Sequence, residues 1–200
     1  MRRCLIALIA VSCLPIDTVA AQTDAVEAAA TLDVYVAVLR DRRLTDRSQR
    51  QPVVLVKRHH GDPSWLWNLP DVPPEARPKS PQRLPGIPQN ILDRLLERFV
   101  DSRGLPADLP GRAAVTFVEE SDLKSVFGSG TDGWDRFYQR YPKASGFVTL
   151  SRIAFDAEFS EALLFVDHTY GIVGAVGSFV LLRKTSKGWT VETICGYYES

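Results

Sequence analysis

Residues Phe147–Tyr198 read FVTLSRIAFDAEFSEALLFVDHTYGIVGAVGSFVLLRKTSKGWTVETICGYY. Four apolar, β-branched runs stand out: Phe147–Phe155, Ala162–His168, Ser178–Lys184 and Trp189–Tyr198. Turn residues part them at Asp156-Ala157-Glu158, Tyr170-Gly171 and Ser186-Lys187-Gly188. Connections this short favour antiparallel neighbours, so the stretch predicts a β-meander of about four strands. Simple alternation along the last run places Trp189, Val191, Thr193, Cys195 and Tyr197 on one face, with Thr190, Glu192, Ile194 and Tyr198 on the other.

Upstream the periodicity changes. Leu32, Tyr35, Val36 and Leu39 recur at helical spacing behind the capping-box pair Asp24 and Glu27, predicting a helix over 24–41. Pro52–Lys57 reads as a strand. Residues 61–88 hold eight of the thirteen prolines, which remove backbone donors and argue for a long loop. Trp65 and Trp67 in that loop suit either pinning it to the core or offering an aromatic platform. Ile91, Leu92, Leu95, Leu96, Phe99 and Val100 make one apolar face of a helix over 90–103, capped by Asn90 and stopped by Gly104 and Pro106. A strand over 113–119 and a short helix over 121–127 follow. Gly128–Gly133 is a connector that lacks the Lys-Ser/Thr ending of a phosphate loop. Trp134, Phe137, Tyr138 and Tyr141 form an aromatic helix face suited to core packing. The expected class is α+β, with N-terminal helices packed on a C-terminal antiparallel meander.

The first residues carry an export signal. Met1-Arg2-Arg3 is cationic, Cys4–Leu14 is apolar except for Ser12, and Pro15 leads into the small residues Thr18-Val19-Ala20-Ala21. These are the parts of a cleavable secretory peptide over 1–21. The apolar run spans about 16 Å as a helix, against ~30 Å of hydrocarbon, too short for a membrane anchor. A lipoprotein box ending at Cys13 and a twin-arginine signal at Arg2-Arg3 are the alternatives. Cleavage leaves residues 22–200, the length of one domain, with no membrane span expected. Localisation is then periplasmic or secreted.

Composition narrows the partners. Lys+Arg and Asp+Glu are equal at 24 each, and losing Arg2, Arg3 and Asp17 leaves a charge of −1. No overall field attracts nucleic acid or an anionic membrane. Arg outnumbers Lys 18 to 6, as in GC-rich bacterial genomes. Cys4 and Cys13 leave with the signal, so Cys195 has no internal disulfide partner. It reads as a small core hydrophobe, with an intermolecular disulfide or a reactive thiol as alternatives.

Trp134, Phe137-Tyr138, Tyr141-Pro142, Gly146, Ser151-Arg152-Ile153-Ala154-Phe155-Asp156, Ala162-Leu163 and Gly188-Trp189 together resemble a loose family of exported bacterial proteins. Its pattern is a W-x-x-F-Y-x-x-Y-P helix, an S-R-[IV]-[AG]-F strand and a closing G-x-W hairpin. Here Gly188 and Trp189 are adjacent. The resemblance covers residues 134–198 and implies export and a β-meander, with no activity attached. The closing hairpin is also similar to those of nuclear-transport-factor-2-like domains, to which the Val53–Lys57 strand and the proline loop are foreign.

The chemistry-bearing candidates are few. His59-His60-Gly61-Asp62 opens the long loop, and two imidazoles with a carboxylate suit metal binding or acid–base work. Adjacent strand residues point to opposite faces, however, and no H-x-x-x-H or H-E-x-x-H spacing occurs. A polar strand end is the plainer alternative. Arg152, beside Ser151 in an apolar strand, is either half of a structural ion pair with Asp156, Asp167 or Glu119, or a grip for an anionic ligand. Cys195 and His168 lie on meander strands where they could pair. Ser151 lacks a G-x-S-x-G elbow. No cofactor and no metal centre is assigned. The expected function is an exported, non-catalytic module binding a protein or small molecule in the cell envelope. The alternative is an envelope hydrolase, metal-assisted or not, using His59, His60 and Asp62.

Overall fold

Val53, Val54, Leu55 and Val56 are all buried, the pattern of a strand covered on both faces rather than one. A computed structural model describes residues 16–45, 53–59, 84–98, 105, 115–128, 132–171 and 174–199. It places this strand, β1 (Val53–His59), inside a seven-stranded mixed sheet. The other strands are β2 (Val115–Val118), β3 (Phe147–Leu150), β4 (Ala154–Phe155), β5 (Glu161–Tyr170), β6 (Gly174–Thr185) and β7 (Gly188–Glu199). The order is β2-β1-β3-β5-β6-β7, with β4 pairing β5 off the main path. β1 runs parallel to β2 and to β3, and the remaining pairs are antiparallel.

Helices cover both faces. On the first face α1 (Ile16–Arg40) and α2 (Arg42–Thr45) bring Val34, Tyr35, Val38, Leu39 and Leu44 onto Val53, Leu55, Leu164, Val166, Val180 and Leu182. On the second face α3 (Gln89–Arg98) sets Ile91, Leu92 and Leu95 on Leu163, Phe165, Phe179 and Leu181. Beside it, α4 (Glu120–Phe127) and α5 (Gly133–Arg140) pack Leu123, Val126 and Phe137 on Val54 and Val56. Odd and even positions of β1 and β5 divide between the faces, as a pleated strand requires. The three cores are thus one sheet's two sides. Trp134 and Phe137 fill the α4–α5 corner with Phe127 and Phe147, ring centroids 4.8 to 6.0 Å apart.

One polar residue interrupts this apolar interior. Ser151 is fully buried. Its N–H donates to Phe165 O at 2.9 Å, which continues the β3–β5 ladder. The return bond is made by the side chain: Phe165 N–H donates to Ser151 Oγ at 2.7 Å, and that hydroxyl donates to Arg152 O at 2.7 Å. The Ser151 carbonyl is thereby released from the ladder and accepts the Tyr35 hydroxyl of α1 at 3.0 Å. Burial holds the Tyr35 phenol far above its usual pKa, against the opposing field of Arg152, so it stays a donor. Nearby, Arg98 of α3 pairs with Glu27 of α1 at 2.5 Å and donates to Ile153 O at 3.0 Å. Ties from both faces converge on the segment between β3 and β4.

Several expectations change. The α+β class holds, but the sheet is larger than a four-stranded meander and is mixed, because Val53–His59 and Val115–Val118 add parallel strands beside β3. The helices are neither all N-terminal nor on one face, since α4 and α5 carry the chain from β2 to β3. The expected strand 147–155 breaks at Ser151-Arg152-Ile153, where the exchanged hydrogen bond ends regular pairing. The helix expected from Asp24 begins at Ile16, so Asp24 is not its cap. Helix α3 starts at Gln89, putting Asn90 inside its first turn rather than at its cap. In β7, Val191 faces Leu182 and Thr193 faces Leu181, so Glu192 is an extra residue. That bulge resets the alternation: Trp189, Val191 and Ile194 pack on the first face and Cys195 on the second. The turn at Asp156 is as expected, its carboxylate accepting the Ser160 and Glu161 N–H groups at 2.7 and 2.9 Å. Trp65, Trp67 and the proline loop up to residue 83 lie outside the described residues, as does the signal segment up to residue 15. Among the described residues no helix is long and apolar enough to cross a membrane.

Replacing Ser151 with Ala leaves one acceptor, the carbonyl at this position, for two buried donors, the Phe165 N–H and the Tyr35 hydroxyl. The expected loss is about 1–3 kcal/mol of unfolding free energy, measured by urea denaturation. A loss under about 0.5 kcal/mol would show that the hydroxyl does not hold the ladder.

Candidate functional site

Helix α1 carries two adjacent stripes. Ala30, Val34 and Val38 face the core. Asp33, Val36, Ala37 and Arg40, spaced i, i+3, i+4 and i+7, line a cleft beside it. The opposite wall is the β6–β7 hairpin, through Lys187, Gly188, Trp189, Thr190 and Val191, and Asp41 closes one end. The cleft holds about 480 Å³, within the range of small-ligand sites.

The hairpin is shaped by a tight turn. Gly188 has φ +105°, a region that favours glycine, and Thr185 Oγ1 donates to its carbonyl at 2.8 Å. Trp189 follows and is 8 % exposed. Its ring lies 5.8 Å from Phe155 on the core side, and the Lys184 ammonium sits 5.8 Å from its centroid. The buried Trp189 Nε1–H has no acceptor among the described residues.

Register fixes what the edge of β7 shows. Lys184 N–H donates across to Ser160 O at 2.8 Å, so Lys184 turns its backbone toward β5. Its partner Trp189 therefore turns its N–H and C=O away from β6, toward the open edge. Val191 does the same two residues on, and its outward carbonyl accepts Arg43 Nη2 at 3.2 Å. Arg43 also forms a forked pair with Asp41, Nη2 to Oδ2 2.6 Å and Nε to Oδ1 3.0 Å. Those hydrogen bonds hold the Asp41 carboxyl below the usual carboxylate range, against the upward push of burial. Arg43 is thus a strap from the end of α1 to the sheet edge. Asp33, Arg40 and Lys187 make no ion pair among the described residues.

The residues singled out from sequence sit elsewhere. His59 ends β1, paired with Leu150 at the end of β3, and Arg152 lies two positions beyond Leu150. These neighbouring strand ends bring His59 and Arg152 to one edge of the fold. His60 and Asp62 lie outside the described residues. Of the acids considered for Arg152, Glu119 pairs with Lys57 at 2.9 Å and Asp156 caps its own turn. Cys195 and His168 cannot meet. Cys195 packs on the second face, while His168, in step with Val166 and Leu164, is on the first. Burial raises the Cys195 thiol pKa, which disfavours the thiolate. His168 has Ser145 Oγ at 3.4 Å from Nε2 instead. No three His, Cys, Asp or Glu side chains gather as a metal site among the described residues.

The cleft itself was not foreseen. The one sequence signal for it is the stripe Asp33–Val36–Ala37–Arg40, apolar inside and charged at both ends, lying next to the core stripe. The chain matches no protein-family model, no curated protein and no solved structure.

Arg43→Ala is expected to raise the Asp41 pKa toward the usual ~3.9 of a free aspartate, read by NMR carboxyl titration. Because the folded pKa is depressed, the stability contributed by the pair is present above about pH 4 and fades as pH falls through the depressed value. An unmoved Asp41 titration in Arg43→Ala would contradict the strap.

Proposed function

We propose that this chain is an exported protein of the bacterial cell envelope that binds a small ligand or a short protein segment without transforming it, in the cleft between α1 and the β6–β7 hairpin. The observation that carries this reading is the cleft: about 480 Å³, with apolar Val36, Ala37 and Val191, charges at its rim, and strand-edge backbone on one wall. Sites of this size with a few placed polar groups suit recognition. Export rests on the cationic, apolar and small-residue segments over 1–21, with anchoring at Cys13 as its variant. The core-facing residues of α1 described by the structure, Ala30, Val34, Tyr35, Val38 and Leu39, all follow Ala21, so cleavage there leaves them in place. Membership of the loose exported family belongs to the same proposal.

One observation favours a second reading. The carboxyl ends of the parallel strands β1 and β3 adjoin, the usual location of sites in sheets with parallel strands. His59 and Arg152 are there, where the 61–88 segment begins. An envelope hydrolase would draw on His59, His60 and Asp62 at that edge.

Native mass spectrometry of protein isolated from its own envelope separates the two. The binding reading expects a chain lacking residues 1–21 and a ligand that is lost in the variant Arg40→Glu/Lys187→Glu. An uncut chain with no ligand, or hydrolytic turnover abolished by His59→Ala, would overturn it.

A further inference from the structure

We infer that the cleft takes a short extended peptide, about three residues long with free termini, which adds as a strand to the open edge of β7. This rests on the cleft being the binding site and names its ligand class.

The backbone supplies the first argument. Trp189 presents an N–H and a carbonyl, and Val191 an N–H, to the cleft side of the sheet edge, with no neighbouring strand among the described residues to pair them. Alternating donors and acceptors of this kind are matched by another extended backbone. A simple anion would answer the N–H groups alone and would meet Asp33 in the same walls.

Charge supplies the second. Asp33 and Arg40 are both exposed and of opposite sign. They lie seven residues apart on α1, about 10.5 Å along the axis. A strand rises ~3.3 Å per residue, so about three residues separate an ammonium placed at Asp33 from a carboxylate placed at Arg40. Asp41 does not compete, because Arg43 neutralises it. Between the charged ends Val36, Ala37, Trp189 and Val191 offer apolar contact, which selects small apolar side chains.

The limits of the edge set the length. Pairing cannot extend past the turn at Gly188 on one side. On the other, Arg43 occupies the Val191 carbonyl and the bulge at Glu192 breaks the register. Charged straps and bulges are the usual means of stopping open-ended strand addition. The site therefore fits a tripeptide and excludes a long strand.

The test is a ¹⁵N–¹H NMR titration of the purified protein with trialanine, with acetyl-trialanine amide and with succinate. Trialanine is expected to shift the Trp189 and Val191 amides saturably. Asp33→Asn and Arg40→Gln, both at exposed positions, should each weaken it about tenfold, and capping both termini, which removes both charge contacts, about a hundredfold. Equal binding of the capped and free peptides would overturn the assignment. Succinate binding in the cleft while trialanine is silent would overturn the peptide but keep the cleft as a site. Silence of the cleft amides to every probe would overturn both.

Discussion

The Ser151 hydroxyl stands where its own carbonyl would stand in the ladder to Phe165, and that exchange organises what surrounds it. A fully buried serine must satisfy its oxygen, and here it does so within the sheet. The freed carbonyl faces α1 and takes the Tyr35 hydroxyl. One residue thus keeps β3 joined to β5, ends regular pairing so that β4 can form, and bonds a helix to the first face. A valine or alanine would fill similar space but leave the Phe165 N–H and the Tyr35 hydroxyl to compete for the one carbonyl at this position. This is a structural role for Ser151, the residue beside the candidate Arg152.

The placement of α1 then determines the cleft. Tyr35 and the stripe Val34, Val38 and Leu39 seat the helix on the first face, and Arg98 holds Glu27 from the other side. With the helix seated, its neighbouring stripe necessarily overlooks the hairpin at the sheet's edge. Arg43 completes the arrangement by bonding both Asp41 and the Val191 carbonyl. The wall is therefore built from the end of a helix and an edge strand, tied together at one point and open over Trp189. Exposed edges invite further strands. Here the opening is short, bounded by the Gly188 turn, the Arg43 bond and the Glu192 bulge.

Much of this fold was legible. The apolar runs of β5, β6 and β7, the apolar face of α3 and the helix carrying Trp134 and Phe137 stand where the sequence placed them, because long apolar runs and helical stripes record burial directly; Tyr138, expected in the core with that helix, is exposed. Three features were not legible. β1 is short and apolar at every position from Val53 to Val56, which marks burial on both faces but not the identity of its neighbours, so the parallel pairs with β2 and β3 were missed. The bulge at Glu192 leaves no mark in the pattern, yet it moves Ile194 and Cys195 to opposite faces from those expected. The site depends on α1 meeting β7 across more than 140 positions of sequence. No local spacing reveals that, and His59 and Arg152 drew notice because their chemistry is visible residue by residue.

A double-mutant cycle on Tyr35→Phe and Ser151→Ala tests the Ser151 exchange most directly. In the Ser151→Ala variant the hydroxyl is gone, so the carbonyl at this position would turn back to Phe165 N–H, and the Tyr35 bond would already be lost. The double variant should then be destabilised by clearly less than the sum of the singles, with a coupling of at least about 0.5 kcal/mol in urea unfolding. Additivity within about 0.3 kcal/mol would mean that the two bonds are independent and that Ser151 does not join the helix to the sheet.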